Sequence, residues 1–394
     1  MTAYLNSLGI VSALGEGAKK TSEHLLNKNG LFLTATDEYS PGTVMSVGQV
    51  SVQLPELVDV GKIYRSRNNQ ILLLALQQIE AEVGYVCNQY GHDRIAIILG
   101  TSTSGIAEAE YSFAQHVRSN QWPDAYDYGQ QDIGSPALFL AEYLNVTGPA
   151  YTISTACSSG AKALASAKRL LALGVCDAVV AGGVDSLCGL TVQGFSALDA
   201  MSKDVCNPFS RNRDGINIGE GSALFLVSKE AGPVRLSGAG ESSDAHHISA
   251  PDPTGSGAYR AMKDALREAS LEAGDVNYIN LHGTGTEQND LMESKAVDRL
   301  FGNKVSCGST KPLSGHCLGA SGAIEAGLCW LLLQADHNSG LPIHPWDAEV
   351  DDKIVPISLV SERSQCVEDI RCVLSNSFAF GGSNISLLME KHFE

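Results

Sequence analysis

Two segments of this chain repeat each other closely enough to dictate its architecture. Ile98-Leu99-Gly100-Thr101-Ser102-Thr103 lines up with Leu281-His282-Gly283-Thr284-Gly285-Thr286, so that Gly-Thr-small-Thr follows an apolar run in both. Gly221-Ser222-Ala223-Leu224-Phe225-Leu226-Val227 lines up with Gly382-Ser383-Asn384-Ile385-Ser386-Leu387-Leu388, each a Gly-Ser turn feeding an apolar run that ends in a Lys/Glu pair. A third, shorter match sets Ser154-Thr155-Ala156-Cys157 against Ser309-Thr310-Lys311, and all three occur in the same order. Such a repeat implies two homologous units. They meet near residue 232, where Ala231-Gly232-Pro233 breaks the chain, giving an N-terminal half 1–232 and a C-terminal half 233–394.

Within each half, short β-rich runs (94–99, 177–181, 278–281, 372–374) alternate with helical stretches (69–87, 158–173, 257–273, 320–334). That alternation predicts an α/β fold with helices covering mixed sheets. A pseudo-twofold pair of such halves offers a crevice at the junction, and the chemistry should sit where the halves differ. Cys157 lies in the first half, whereas His282, Lys311 and His316 lie in the second, with Leu99 at the position matching His282.

Charge and apolar content narrow the class of partner. Lys plus Arg 27 against Asp plus Glu 44 gives a net charge of −17, which disfavours wholesale nucleic-acid binding and confines any anionic partner to a local basic patch. No apolar run approaches the roughly 20 residues of a bilayer span, and no basic stretch precedes the apolar part of the N-terminus. A soluble, unexported, cytoplasmic protein is expected. Ten cysteines without a C-x-x-C pair suggest reduced thiols rather than disulfides.

The segment 151–165 reads as a β-run, a sharp turn of small residues, and a long helix starting at or just after Cys157. A thiol there faces unpaired backbone N–H groups and the helix dipole, which favour the thiolate. The same N–H groups could hold a developing oxyanion. His282 opens a Gly-rich loop, and His316 sits in the Gly-rich segment 311–322, so backbone and ligand can approach both closely. A Cys/His/His zinc site is disfavoured: 157 to 282 and 282 to 316 are separations of 125 and 34 residues, unlike a local zinc pattern, and a metal would silence the nucleophile.

These residues resemble the β-ketoacyl-acyl-carrier-protein synthases, the elongating condensing enzymes of the thiolase superfamily. Five segments carry the resemblance in family order over nearly the whole chain: Ser154 to Gly160, Arg213 to Gly221, His282 to Thr286 with Asp290 and Glu293, Ser309 to Gly322 with Glu325, and Asn376 to Asn384. The resemblance implies a thiolase-like fold, two homologous halves forming a five-layered α/β/α/β/α body. It implies decarboxylative condensation of a Cys157-bound acyl chain with malonyl-carrier protein, in fatty-acid or polyketide-type elongation that includes specialised pathways such as polyene synthesis. No cofactor and no metal are implied, the substrates riding on the phosphopantetheine of an acyl carrier protein.

Carried over residue by residue, Cys157 is the nucleophile, and His282 and His316 support malonyl decarboxylation. Lys311 charges and orients the site with Glu325 in support. The N–H groups of Cys157 and Phe380 form an oxyanion hole, Thr284 and Thr286 grip the phosphopantetheine, and Phe378 and Phe380 gate the entrance. With the helix terminus favouring the thiolate, neither histidine is required as a base toward Cys157. Asp290 and Glu293, three apart, share a helix face and read either as structural or as a surface pair. Lys62, Arg65 and Arg67 form the carrier-docking patch, and Lys203, Arg211 and Arg213 a second cationic cluster with internal ion pairs as its alternative. A homodimer is expected, a heterodimer with a related subunit being the alternative.

Some positions depart from the family. Glu287 stands where many members have proline, Ala379 where glycine is usual, and Asp199 in a commonly basic stretch. A degradative thiolase would need a second cysteine in the C-terminal Gly-rich loop, yet Phe380 to Asn384 has none. A chain-initiating synthase would have asparagine in place of His316. A non-catalytic or merely decarboxylating partner subunit, a chain-length factor, would have lost its nucleophile, and this chain keeps Cys157, His282, Lys311 and His316 together.

Overall fold

The computed structural model of the chain describes residues 2–27, 30, 32–335, 340–362 and 369–393. β1 (Tyr4–Ser12) ends in a tight antiparallel hairpin with the short β2 (Gly15–Glu16), followed by α1 (Gly17–Leu25) and a hairpin of β3 (Thr34–Thr36) with β4 (Met45–Val47). Then come α2 (Arg67–Gln77), α3 (Glu80–Tyr90), β5 (Ile95–Gly100), α4 (Ile106–Ser119), α5 (Ser135–Tyr143), β6 (Ala150–Ile153) and α6 (Ser159–Leu173). β7 (Ala178–Asp185), α7 (Gly189–Ala197) and β8 (Gly221–Ser228) follow. The chain continues through β9 (Val234–Ser243), α8 (Ser256–Ala269), β10 (Tyr278–Asn280), α9 (Glu287–Phe301), β11 (Ser306–Gly308), the one-turn α10 (Lys311–Ser314), α11 (Ser321–Gln334), β12 (Cys372–Ala379) and β13 (Ser383–Lys391).

The duplication is written into the strand order. Five strands run β6-β5-β7-β8-β1, and five more run β11-β10-β12-β13-β9, the two sets touching through the antiparallel pairs Tyr4 with Arg235 and Leu5 with Val234. In each set the first three strands are parallel and the last two antiparallel. β5 and β10 therefore deliver their Gly-Thr loops at equivalent places, and the short third match lies just beyond the equivalent strands β6 and β11.

Three apolar cores define the layers. Between the two sets of strands lie α6 and α11, packed with β1, β7, β8 and β13. On one outer face α2, α3 and α5 cover β5, β7 and β8, and on the other α8 and α9 cover β10, β12 and β13. This is the expected five-layered α/β/α/β/α body.

Two elements differ from expectation. The run 69–87 is two helices, because the chain turns at Gln78 and Ile79, where the Gln78 amide bonds both the N–H (2.9 Å) and the carbonyl (3.1 Å) of Ile10 in β1. β12 extends five residues past Leu374, where the expected β-run ended. Its polar residues Ser375, Asn376 and Ser377 are buried, and Ser386 Oγ donates to Asn376 Oδ1 at 2.8 Å.

The central helices cross almost backbone to backbone. A Cβ on Gly160 of α6 would lie 2.9 Å from both Cβ and N of Ala323, and one on Gly322 of α11 would lie 2.8 Å from the Ala161 Cβ. Overpacking costs about 1–3 kcal/mol, against roughly 1 kcal/mol regained by replacing a helical glycine. Gly160→Ala is therefore expected to lower stability in denaturant melts and to slow acylation of Cys157 by moving α6 away from α11; a variant as stable as the parent would show the contact to be loose.

Candidate active site

Cys157 stands on a strained elbow ahead of α6. Ala156 has φ +51, a left-handed conformation disfavoured for any residue with a side chain, and it persists because its surroundings over-determine it. The Thr155 N–H donates to Ser159 Oγ (2.8 Å), Ser159 Oγ donates to the Ala156 carbonyl (2.6 Å), and Ser158 Oγ donates to the Thr155 carbonyl (2.8 Å). These hydroxyls explain why the turn is built of serine and threonine.

His316 arrives from the other half on a backbone rail. Its N–H donates to the Asn217 carbonyl at 2.7 Å, and its carbonyl accepts from the Gly219 N–H at 2.9 Å, which gives the segment 213–221 its purpose. The His316 Nε2 lies 3.0 Å from Cys157 Sγ, and its Nδ1 lies 3.0 Å from Ser321 Oγ. His282 follows β10, its ring 5.5 Å from that of His316 and nearly perpendicular to it. Its backbone N–H and that of Gly283 donate to Glu293 at 2.8 and 2.7 Å. Lys311 Nζ forms a buried ion pair with Glu325, donates to the His282 carbonyl and reaches within 3.5 Å of His282 Nδ1.

Burial pushes both imidazoles well below the ordinary histidine range, and Lys311 reinforces the effect, so both rings are neutral. With Lys311 directed at Nδ1 of His282, the ring proton belongs on Nε2, facing the cleft. The expected thiolate is corrected. Burial pushes the Cys157 thiol up to about 11, although Lys311 and the N–H groups of Phe380 and Cys157 itself pull it down. Desolvation outweighs a helix terminus whose first residue is Ser159, two beyond the thiol. The proton needs an acceptor, and His316 Nε2 is in contact. That contact and the raised thiol remove the ground for expecting Cys157 to do without a histidine.

The sulfur of Cys157 and ring nitrogens of His282 and His316 lie within 4.8 Å of one another, so sequence separation is no argument against a shared metal. What opposes a dication is the Lys311–Glu325 ion pair, whose ammonium stands 3.5 Å from His282 Nδ1.

A cleft of about 400 Å³ leads to these groups. Thr284 and Thr286 line it with their hydroxyls 2.9 Å apart. Phe378 and Phe380 line it in different ways. Phe378 belongs to β12, is nearly buried and sets its ring 6.2 Å from that of His282, which makes it a wall. Phe380 opens a turn whose next two residues, Gly381 and Gly382, have φ +81 and +76, so the freedom to swing belongs to Phe380. Its ring rests 5.6 Å from Phe195 of α7, a pairing that no sequence spacing announces. Leu198 and Asp199 at the cleft mouth are exposed, and Glu287 there pairs with Lys353 at 3.3 Å.

Asp290 and Glu293 are no surface pair: both are fully buried, with burial pushing them up to about 6 and about 7. Asp290 accepts from the N–H groups of Phe209 (2.7 Å) and Gly285 (3.3 Å), so the two carboxylates fasten the histidine loop. Arg67 is likewise corrected as a docking residue, because it is tied at 2.9 Å to the fully buried Glu220. Glu220 also accepts from the N–H groups of Val50 (2.9 Å) and Leu187 (3.1 Å), a hub that the motif 213–221 contained but did not single out. Lys62 and Arg65 remain exposed beside a second cavity, away from the catalytic cleft. Arg213 is buried against Asp351 at 2.6 Å and Arg211 stands 3.6 Å from Asp352, so two of the three cations of the second cluster are engaged in ion pairs, while Lys203 is exposed.

Residues 65–231 match the family described as Beta-ketoacyl synthase, N-terminal domain, and residues 234–338 match its C-terminal domain. The chain belongs to the β-ketoacyl synthase family. It is a condensing acyltransferase, similar over its whole length to 3-oxoacyl-[acyl-carrier-protein] synthase 2 of Staphylococcus aureus strain COL, 30% identical over 98% of this chain and 97% of that one. The synthase 2 of Rhizobium meliloti strain 1021 is 39% identical over 62% of this chain and 61% of its own. Among solved structures, a ketosynthase (ApeO) in complex with its chain length factor (ApeC) from Xenorhabdus doucetiae superposes with a TM-score of 0.94 at 42% identity, covering 99% of this chain and 98% of that one.

A thiol held neutral has a testable signature. Alkylation of Cys157 by iodoacetamide, followed by intact-protein mass, is expected to keep accelerating from about pH 7 to about pH 10 as the thiolate fraction grows. A plateau near pH 7 would mean the thiolate is already formed.

Proposed function

We propose that this β-ketoacyl synthase elongates an acyl chain carried on phosphopantetheine, with every chemical step performed by the residues that meet between its halves. The observation that carries this reading is the 3.0 Å contact of Cys157 Sγ with His316 Nε2, beside a second neutral histidine. In acylation the thiol proton passes to His316 Nε2, Sγ bonds to the acyl carbonyl carbon, and the departing pantetheine sulfur takes the proton. The N–H groups of Cys157 and Phe380 stabilise the oxyanion on the way. In condensation the bond to the malonyl carboxylate breaks, carbon dioxide leaves, and the enolate oxygen accepts from Nε2 of both histidines. The enolate carbon attacks the acyl thioester, Sγ departs, and a proton from solvent restores the thiol. Neutral rings serve this better than imidazolium, because a neutral donor does not protonate the enolate. Lys311 and Glu325 hold His282 in its Nε2–H form, Thr284 and Thr286 grip the pantetheine, and Phe380 gates it. No metal or other cofactor has a part in this sequence.

Cys157→Ala is expected to abolish condensation. His282→Ala should still be acylated at Cys157 but release carbon dioxide from malonyl-carrier protein about 10² to 10³ times more slowly, the usual loss for one oxyanion donor. His316→Ala should slow both half-reactions. Persistence of β-ketoacyl product in the alanine variant of Cys157 would sink the reading.

For partners we propose an acyl carrier protein and a second thiolase-fold subunit, in the cytoplasm. Lys62 and Arg65, exposed beside the second cavity, are the cations we assign to an acidic carrier, and exposed charges act chiefly on encounter. Tyr111, Val117, Trp122 and Tyr128, on α4 and the segment after it, are exposed apolar groups suited to a subunit interface, and the pairing of the similar ketosynthase with a chain length factor favours a related subunit. Lys62→Glu with Arg65→Glu should raise KM for the carrier protein and spare turnover of a small pantetheine thioester; no loss with either substrate would place docking elsewhere. Light scattering of the chain alone should give the mass of one subunit, and a stable homodimer would refute the heteromeric pairing.

A further inference from the structure

Ser321 opens α11, is almost completely buried, and puts its Oγ 3.0 Å from His316 Nδ1. No other polar group touches that nitrogen among the described contacts, while Nε2 on the opposite side of the ring meets only Cys157 Sγ. The ring is neutral, so it carries one proton, and the two half-reactions require that proton on different nitrogens. To receive the thiol proton, Nε2 must be bare and Nδ1 protonated; to donate to the malonyl enolate, Nε2 must carry the proton and Nδ1 must be bare. His282 faces no such conflict, because Lys311 always presents a donor to its Nδ1. His316 has no cation fixed at Nδ1. It has a hydroxyl, the one kind of side-chain group that can either accept from Nδ1–H or donate to a bare Nδ1 by rotating about a single bond.

We propose that Ser321 is a positioning residue that sets which nitrogen of His316 carries the proton, accepting from Nδ1–H while Cys157 is a free thiol and donating to Nδ1 once Cys157 is acylated. The inference rests on the proposed roles of Cys157 and His316 and adds what lets one ring serve both. The proton count closes. In the free enzyme the thiol S–H donates to Nε2, and Nδ1–H donates to Oγ. When Sγ attacks, its proton moves to Nε2 and the ring is briefly cationic, with both N–H groups donating; the proton then passes to the leaving pantetheine sulfur. Should Nδ1 lose its proton instead of Nε2, passing it to Oγ as the Oγ proton moves on to solvent while the leaving sulfur takes a proton from solvent, the ring is left as the Nε2–H form that decarboxylation needs. A carboxylate in place of Ser321 would hold the proton on Nδ1 and block the second half-reaction; an ammonium would block the first. The serine is neutral, and the ring stays free to change.

The test separates this idea from the underlying reading. In wild type, intact-protein mass should show Cys157 acylated by acyl-carrier protein, and malonyl-carrier protein should release carbon dioxide; if wild type does neither, the functional reading fails and Ser321 is not the issue. Given an active wild type, Ser321→Ala removes only an oxygen from a helix-start position that accepts alanine, so its melting temperature should stay close to wild type. Both acylation and carbon dioxide release should fall about tenfold, the worth of one buried hydrogen bond, with KM for the carrier unchanged. Ser321→Thr, which keeps the hydroxyl, should restore both rates. The ring itself gives an independent readout: ¹⁵N spectra of histidine-labelled protein should show His316 protonated on Nδ1 in the free enzyme and on Nε2 in the acyl-enzyme, and this exchange of tautomers should be lost in Ser321→Ala. Rates within twofold of wild type in Ser321→Ala, or the same His316 tautomer in the free and acylated enzyme, would overturn the proposal.

Discussion

The chemistry of this protein depends on how closely two helices can cross. Cys157 precedes α6 and His316 precedes α11, and the helices belong to different halves of a duplicated chain. Gly160 against Ala323 and Gly322 against Ala161 bring the backbones together, so the segments just ahead of both helices converge on one point. Only small side chains permit this, and that is why the runs following both catalytic residues are made of glycine, alanine and serine. A core of such residues gives up apolar burial at the crossing; α6 and α11 recover it along their remaining lengths, where Leu164, Leu171, Leu328 and Leu332 fill the space between the two sets of strands.

Burial at that point then governs the electrostatics. A thiol, two imidazoles, an ammonium and a carboxylate share a region from which water is excluded, and the cost of charge there falls unevenly. Lys311 and Glu325 meet this cost by pairing directly with each other, although burial still pushes the Glu325 carboxyl up. The remaining groups are pushed to neutrality: the thiol up, the imidazoles down. The result suits condensation, which needs hydrogen-bond donors that do not protonate a carbanion and a nucleophile that ionises only when its proton has somewhere to go. A helix terminus alone, in the open, would have produced a reactive thiolate and a site exposed to oxidation and alkylation.

Much of this was legible in the sequence, and the illegible part has a common cause. The duplication predicted two homologous α/β halves because apolar runs and Gly-Thr turns are local signals. The Gly-rich surroundings of Cys157, His282 and His316 marked the site because close backbone approach requires glycine. What could not be read were the consequences of three-dimensional placement. The helix-start rule promised a thiolate, but burial reversed it. Arg67 looked like one of three equivalent surface cations until its partner Glu220, distant in sequence, proved fully buried. Asp290 and Glu293 looked like one face of a helix, yet that face points inward to hold the histidine loop. In each case the motif gave the residue, and the burial that decides its role came from elements far away in the chain.

The duplication also explains why one chain has one catalytic centre and not two. In the first half, Leu99 takes the place of His282, and the loop 101–103 that corresponds to Thr284 to Thr286 is closed around a single buried carboxylate. Asp185, at the end of β7, accepts from the Thr101 hydroxyl (2.7 Å), the Ser102 N–H (2.8 Å), and both the N–H (2.8 Å) and hydroxyl (2.7 Å) of Thr103. Its other oxygen accepts from the N–H of Ala320 at 3.1 Å, immediately before α11. The first half's loop is thus a clamp on the site: through Asp185 it fixes the start of the helix that carries Ser321 and follows His316. Burying a carboxylate is tolerable because its hydrogen bonds are so numerous, and their geometry leaves α11 little freedom to drift from α6. The halves are therefore asymmetric in what they bring to the site: the first brings Cys157 and the Asp185 clamp, the second His282, Lys311 and His316.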